Sequence, residues 1–267
     1  MIPFIPKLEI FLLRFFKEKV DPDIDEPKFL NEAVLEFPGT VITSLIKESK
    51  YLYKNAIFEI VAHALNLHRD DIKSDKKIKK VIKRSKDDMQ IDVESLYYKK
   101  VKTIYGEIIS YATKAQSTLK LNEDQSNMIT VIKIANRKMV EIIRDVRELN
   151  KNVSYYLNSD NKYISKEYDK FRKKVIRVLR VIYLFRTQED QALYFEKLLE
   201  LKEEAKREIH SSNKSINKLI RDNLITVNMA SSLVNDNDNV NDMIKKLISV
   251  AELLYLEKEL FIENDEG

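Results

Sequence analysis

The chain has 267 residues, 44% of them hydrophobic and 34% charged, enough for one large domain or two small ones and too apolar for a disordered chain. Its 47 basic and 43 acidic residues leave a formal charge of +4, a small excess that argues against a dedicated nucleic-acid binder. Cys is absent and His is confined to His63, His68 and His210, which removes disulfides and thiolate metal sites, argues against a His-rich zinc site, and is compatible with a reducing compartment.

With three Gly, five Pro and abundant Lys, Glu, Leu and Ile, the composition favours long helices with few tight turns, an all-α fold. The first segment, MIPFIPKLEIFLLRFF from Met1 to Phe16, carries Pro3, Pro6, Lys7, Glu9 and Arg14, so it falls short of the roughly 20 apolar residues that a membrane span needs. The same charges split it too early for a signal peptide. It reads as an amphipathic helix that lies against a membrane, a partner or the rest of the fold, with Phe4, Phe11, Leu12, Phe15 and Phe16 as its docking residues. DPDIDEPKF, Asp21 to Phe29, is an extended acidic connector, followed by a short helix to about Phe37 and a break at Pro38-Gly39.

A long helix follows, with Val41, Leu45, Leu52, Ala56, Ile60 and Ala64 on one stripe. The stretch from His68 to Asp88 is charge-dense and poor in apolar residues, a connector with room for partial helix. Asp92 is an N-cap for a helix to about Ser117, and LNED marks the next turn. The clearest helix places Met128, Ile132, Ala135, Met139, Ile142, Val146, Leu149, Val153 and Tyr156 on a repeat near 3.5 residues. Three more are drawn near Ile164 to Phe185, Asp190 to Arg221 and Ile225 to Leu260. The organisation is thus residues 1–37 as an amphipathic helix and connector, 38–158 as a first three-helix repeat, and 159–267 as a second.

The last helix contains the stretch MASSLVNDNDNVNDMIKKLISVAELLY, whose Asn and Asp residues favour turns over helix interiors. A calcium loop counted from Asp236 fails, because Val240, Asn241 and Leu247 fall where a ligand, a Gly and a bidentate Glu are required. Continuing the helical period works: Met229, Leu233, Val240, Met243, Leu247, Val250 and Leu254 share a stripe with one missing step. The reading is one continuous helix in which Asn235, Asp236 and Asn237 form a buried polar network, with basic partners on facing helices. That network either fixes helix register or lines a small binding site.

Glu141, Asp145 and Glu148 lie at i, i+4 and i+7 on one face. Carboxylates so placed on bundle helices can hold a metal; the plainer alternative is an exposed face neutralised by Lys138, Arg144 and Lys151. Asp70, Asp71 and Asp75 echo the aspartate cluster of terpenoid synthases, but they sit in a lysine-rich connector, and the polar run at Asn235 lacks the Ser and Glu that the second metal site would need. The basic run from Lys73 to Lys86 is read as solvated, with anionic lipid or nucleic acid as the alternative. Three glycines, at positions 39, 106 and 267, cannot build a phosphate loop.

Three stretches, EPKFLNEAVLEFPGTVITSLIKESKYLYKNA, MVEIIRDVRELNKNVSYYLNSDNKYISKEYDKFR and the Met229 to Tyr255 stretch, resemble in this order the cytoplasmic C-terminal region of bacterial sodium/phosphate cotransporters. That region is similar to PhoU, a protein of two three-helix repeats that regulates phosphate uptake. The resemblance runs from Glu26 to Leu256 and implies an all-α, PhoU-like fold of long antiparallel helices with an extra N-terminal helix. It implies a non-enzymatic regulatory domain that modulates phosphate transport at the inner membrane face, cytoplasmic and peripheral or tethered. Its partners would be the transporter's membrane domain and the membrane surface, with room for a homodimer and none for nucleic acid. A transporter half is expected upstream, so the chain is a detached domain or a fragment. PhoU repeats carry a metal-binding Glu-x-x-x-Asp: Glu141 and Asp145 match it in the first repeat, where a divalent or iron metal would sit, while the second offers Asn241 and Lys245. No cofactor is required. The rival reading, from the fold alone, is a scaffolding bundle unrelated to phosphate.

Overall fold

The computed structural model describes residues 23–85 and 89–256. The amphipathic segment with Phe4, Phe11, Leu12, Phe15 and Phe16 lies outside them. Among the described residues the fold is all-helical, with no strand.

The region read as a short helix before Phe37 is a single 3-10 turn, Glu32–Val34, capped by Asn31. Phe37 precedes a proline and is held extended (φ −114°, ψ 106°), so no helix can run through it. Pro38 then opens α1 at its first position, where a missing N–H costs nothing. Helix α1 runs over Pro38–Leu52, passes through a π turn at Tyr53–Ile57 and continues over Phe58–Ala64. The charge-dense connector contains two short helices, α2 (Arg69–Lys73) and α3 (Ile78–Arg84). Both pack on α6, which α3 reaches through the buried Val81 and Ile82.

The long helices follow. Helix α4 spans Val93–Tyr97, a π turn at Tyr98–Lys102, and Thr103–Thr118. Then come α5 (Glu123–Tyr156), α6 (Lys162–Thr187), α7 (Gln191–Arg221) and α8 (Val227–Tyr255). Helix α8 stops at Tyr255 and not near Leu260, because Leu256 is extended (φ −64°, ψ 117°). Polar side chains set the starts: Asp92, Asn122, Asn161, Asp190 and Thr226 each accept a backbone N–H from the first turn they precede.

With so few glycines, Asn closes two of the helices. Asn66 (φ 55°) and Asn223 (φ 53°) take the left-handed position after α1 and α7. In each case the N–H of the Asn and that of the residue after it reach back to carbonyls of the last turn, Asn66 to His63 and Leu67 to Ala62, Asn223 to Ile220 and Leu224 to Leu219.

The long helices pack as two groups, α1 with α4 and α5, and α6 with α7 and α8. Helices α5 and α8 form the most extensive junction and run antiparallel, since Asp145 meets Lys246 and Asn152 meets Asp236. One continuous apolar core joins the groups; α5 supplies Ile132, Met139, Ile142 and Val146 to it, and α8 supplies Leu233, Val240, Leu247 and Val250. With a rise of about 1.5 Å per residue, α5 is roughly 50 Å long and forms the spine along which both groups lie.

Candidate functional site

The Asn and Asp run does not break α8. Its period puts Asp236, Asn237 and Asn241 on the buried stripe between Leu233 and Val240 and just beyond it, so a continuous helix carries polar groups into the core. Asp236 is 2% exposed. Its Oδ2 accepts a hydrogen bond from the Tyr168 hydroxyl of α6 at 2.6 Å and one from Asn152 Nδ2 of α5 at 2.9 Å. One carboxylate oxygen thus ties three helices together. The Tyr168 ring stacks on Tyr156 at 5.0 Å and meets Phe171 edge-on at 5.5 Å, which fixes its hydroxyl.

Two expectations are corrected here. Asn235 is exposed, because it sits one residue off the stripe; the third buried polar residue is Asn241. The partners of Asp236 are neutral donors and not basic side chains, so its charge is hydrogen-bonded without being neutralised. Burial accordingly pushes its pKa above the ordinary aspartate value, against the pull of the Tyr168 and Asn152 hydrogen bonds. Burial, and then Asp236 itself, raises the pKa of Tyr168 as well, so the phenol stays a donor.

Asn237, 2% exposed, borders a groove of about 210 Å³ between α6, α7 and α8, which Lys174 and Glu208 flank as an ion pair. Asn241 is fully buried, with both side-chain polar atoms lacking a partner among the described residues. It adjoins a cavity of about 20 Å³, room for a single water.

The carboxylates of α5 are engaged by cations. Glu141 accepts from Arg137 Nε at 3.2 Å on an exposed face, and Glu148 pairs with Lys151 at 3.0 Å. Asp145, more enclosed, meets Lys246 Nζ of α8 at 2.5 Å. Burial raises its pKa, and the Lys246 hydrogen bond opposes the rise. At the positions aligned in the second group, Asn241 is buried and Lys245 pairs with Asp242. A metal at Glu141 and Asp145 would face Lys246 and Arg137, and no three His, Asp or Glu side chains gather elsewhere among the described residues. This donor set does not fit a metal cluster.

Several polar anchors carry no obvious signal in the sequence. Arg172, fully buried on α6, donates from Nε to the Leu65 carbonyl (2.8 Å), from Nη2 to the carbonyls of Asn66 (3.0 Å) and Ser85 (2.6 Å), and from Nη1 to Asp169 (2.9 Å). It staples the ends of α1 and α3 to α6. Glu48, fully buried on α1, accepts the backbone N–H groups of Lys28 (2.8 Å) and Phe29 (2.6 Å) and pins the acidic connector. Asn136 of α5 donates to Ser49 Oγ of α1 at 2.7 Å. The one hint to all three is that each polar residue falls on its helix's apolar stripe.

Chemically, these groups form a hydrogen-bonded interior that holds helix register. Asp236 is enclosed and committed to two donors, the Tyr168 hydroxyl and the Asn152 amide. No family model, curated protein or solved structure matches the chain.

Proposed function

We propose that the chain is a non-enzymatic regulatory helical domain of the sodium/phosphate cotransporter type, PhoU-like, modulating phosphate transport at the inner face of the membrane. The observation that supports this most is a contact. Asn152 belongs to the stretch RELNKNV and Asp236 to SLVND, two segments that carry the resemblance, and their side chains hydrogen-bond at 2.9 Å between α5 and α8. Residues that make the chain resemble the family are those that lock its two helical groups together. Regulation by such a domain works through contact and displacement: a partner that shifts α8 against α5 must break a buried hydrogen-bonded set, so the domain passes a push along as a rigid body. No helix among the described residues is long and apolar enough to cross a membrane.

The test is co-expression with a sodium/phosphate transporter, followed by membrane fractionation and phosphate-uptake assays in phosphate-replete and starved cells. Retention on membranes and an uptake rate changed at least twofold are expected. Removing Met1 to Lys19 should weaken that retention while leaving the melt cooperative. A protein that stays wholly in the soluble fraction, captures no transporter and leaves uptake unchanged would leave only the scaffolding reading.

A further inference from the structure

Not one of residues 23–33 is buried, yet the segment follows a defined path over the bundle. It is tied to α4 near both ends: the Asp25 N–H donates to the Lys99 carbonyl (2.8 Å), the Tyr111 hydroxyl donates to the Asn31 carbonyl (2.9 Å), and Lys114 meets Glu32 (2.9 Å). From Lys99 to Lys114 a helix rises roughly 23 Å, about the length that the chain from Asp25 to Glu32 covers when extended. The segment is therefore a strap laid along α4. Lys99 belongs to the π turn of α4, so the carbonyl that receives Asp25 comes from an irregular turn of the helix.

The middle of the strap is held by α1. Glu48, fully buried, accepts the N–H groups of Lys28 (2.8 Å) and Phe29 (2.6 Å) on the single oxygen Oε2. Phe29 meets Tyr51 edge-on with ring centroids 6.1 Å apart and stays 41% exposed, while Lys28 Nζ lies over the same Tyr51 ring at 4.4 Å. The ion pairs at the ends, Lys99 with Asp23 and Lys114 with Glu32, face solvent and contribute little. Docking also has a cost. Glu48 is a carboxyl group removed from water, and its Oε1 is buried without a hydrogen-bond partner among the described residues. Little apolar burial holds the strap down, and a desolvated carboxyl group holds its centre. Both features mark a segment that opens ahead of the helices.

We propose that residues 23–33 are a releasable strap: Glu48 is its clasp, and the strap lifts from α1 and α4 as a unit while the helices stay folded. In the docked form, a pull on the chain before Asp23 is carried to α1 through the two hydrogen bonds on Glu48. In the released form the Lys28 and Phe29 N–H groups and the Glu48 carboxyl group exchange each other for water, which offsets much of what is lost. Release also frees the face of α1 and α4 that carries Glu48, Tyr51 and Tyr111, so the two forms offer a partner different surfaces. The device does not rest on the transport reading, because it is measured on the chain alone.

The experiment is native-state hydrogen exchange of the full chain, read by NMR at single amides. Asp25, Lys28 and Phe29 are expected to share one protection factor, at least tenfold above that of an unfolded chain and at least a hundredfold below those of Ile142 and Val146 in α5. Glu48→Leu keeps an apolar body at the site and removes the acceptor; it should lower the protection of all three strap amides at least tenfold and leave Ile142 and Val146 unchanged. Glu48→Gln, which still offers one acceptor oxygen, should fall between the two. Should Glu48→Leu unfold the chain, Tyr51→Ala makes the same test at the aromatic contact, with the same three amides losing protection and α5 keeping its own. Strap amides as protected as those of α5 would make the segment part of the cooperative core and overturn the proposal. So would strap amides without protection in the parent, or a loss at Lys28 and Phe29 that leaves Asp25 as it was.

Discussion

Arg172 and Arg186 stand on the same helix, yet their surroundings are opposite. Arg172 lies where α6 meets the ends of α1 and α3, fully buried, with its donors taken up by three carbonyls and one carboxylate. Arg186 lies beside an open groove of about 520 Å³ lined also by Lys47, Lys50 and Lys54 of α1 and Lys73 of α2, stacked on two rings and with its buried Nη1 lacking a partner among the described residues. The contrast extends to their neighbourhoods. The Asp236 carboxylate is enclosed and hydrogen-bonded, while the groove brings several cations to one open face. A polar group whose partners lie within the chain ties its helices together, whereas a cation facing solvent adds little to that.

The comparison is sharpened most by truncating the two arginines alike. Arg172→Met should cost about 3 to 5 kcal/mol in urea denaturation, because it leaves the Leu65 and Asn66 carbonyls without their side-chain donor and removes the buried cation beside Asp169 and the Ser85 carbonyl. Arg186→Met should cost about 1 kcal/mol or less, since only ring contacts are lost and an orphaned donor goes with them. Equal losses would erase the distinction between the two regions.

A smaller effect is expected at Asp236. Asp236→Ala removes the acceptor for Tyr168 and Asn152 and should destabilise the fold by about 1 to 3 kcal/mol, equally with and without chelator. A chelator-dependent loss in the parent that vanishes in the variant would assign a metal to this position after all.

The pH dependence is subtler. Burial raises the Asp236 pKa above 3.8, so between that value and the raised native pKa the folded state holds more protons than the unfolded one. The contribution of the group is therefore fully present below the ordinary aspartate pKa and is lost as pH rises through the native one. Asp236→Asn keeps the shape and cannot ionise. Its stability relative to the parent should improve as pH rises through that window, which melts from pH 3 to 7 would reveal; a ratio constant with pH would mean that the carboxylate is not buried in solution. The smallest effect belongs to the groove: Lys47→Ala/Lys54→Ala should leave the melting midpoint where it is, and a clear drop would make those lysines part of the fold's own support.

The sequence by itself determined the helices. The stripes on α1, α5 and α8 are buried nearly as their spacing implies, and Asp92 caps α4 as its position suggests, because periodicity and capping are local properties of a chain. It also determined that α8 continues through its Asn and Asp run, since the apolar period resumes in phase after Asp236. Only the tertiary structure decided which polar residues are enclosed and what meets them. Asn235 and Asp236 are neighbours in sequence, yet helical rotation of about 100° leaves one in solvent and the other against Tyr168 and Asn152, a pairing set by how three helices cross. The α5 carboxylates share a face in sequence, but Lys246 of α8 meets Asp145 only because those helices run antiparallel in one register. The basic groove was hidden for the same reason. Lys47, Lys50 and Lys54 follow one another at helical spacing, an ordinary surface pattern until packing sets Lys73 and Arg186, remote in sequence, across from them.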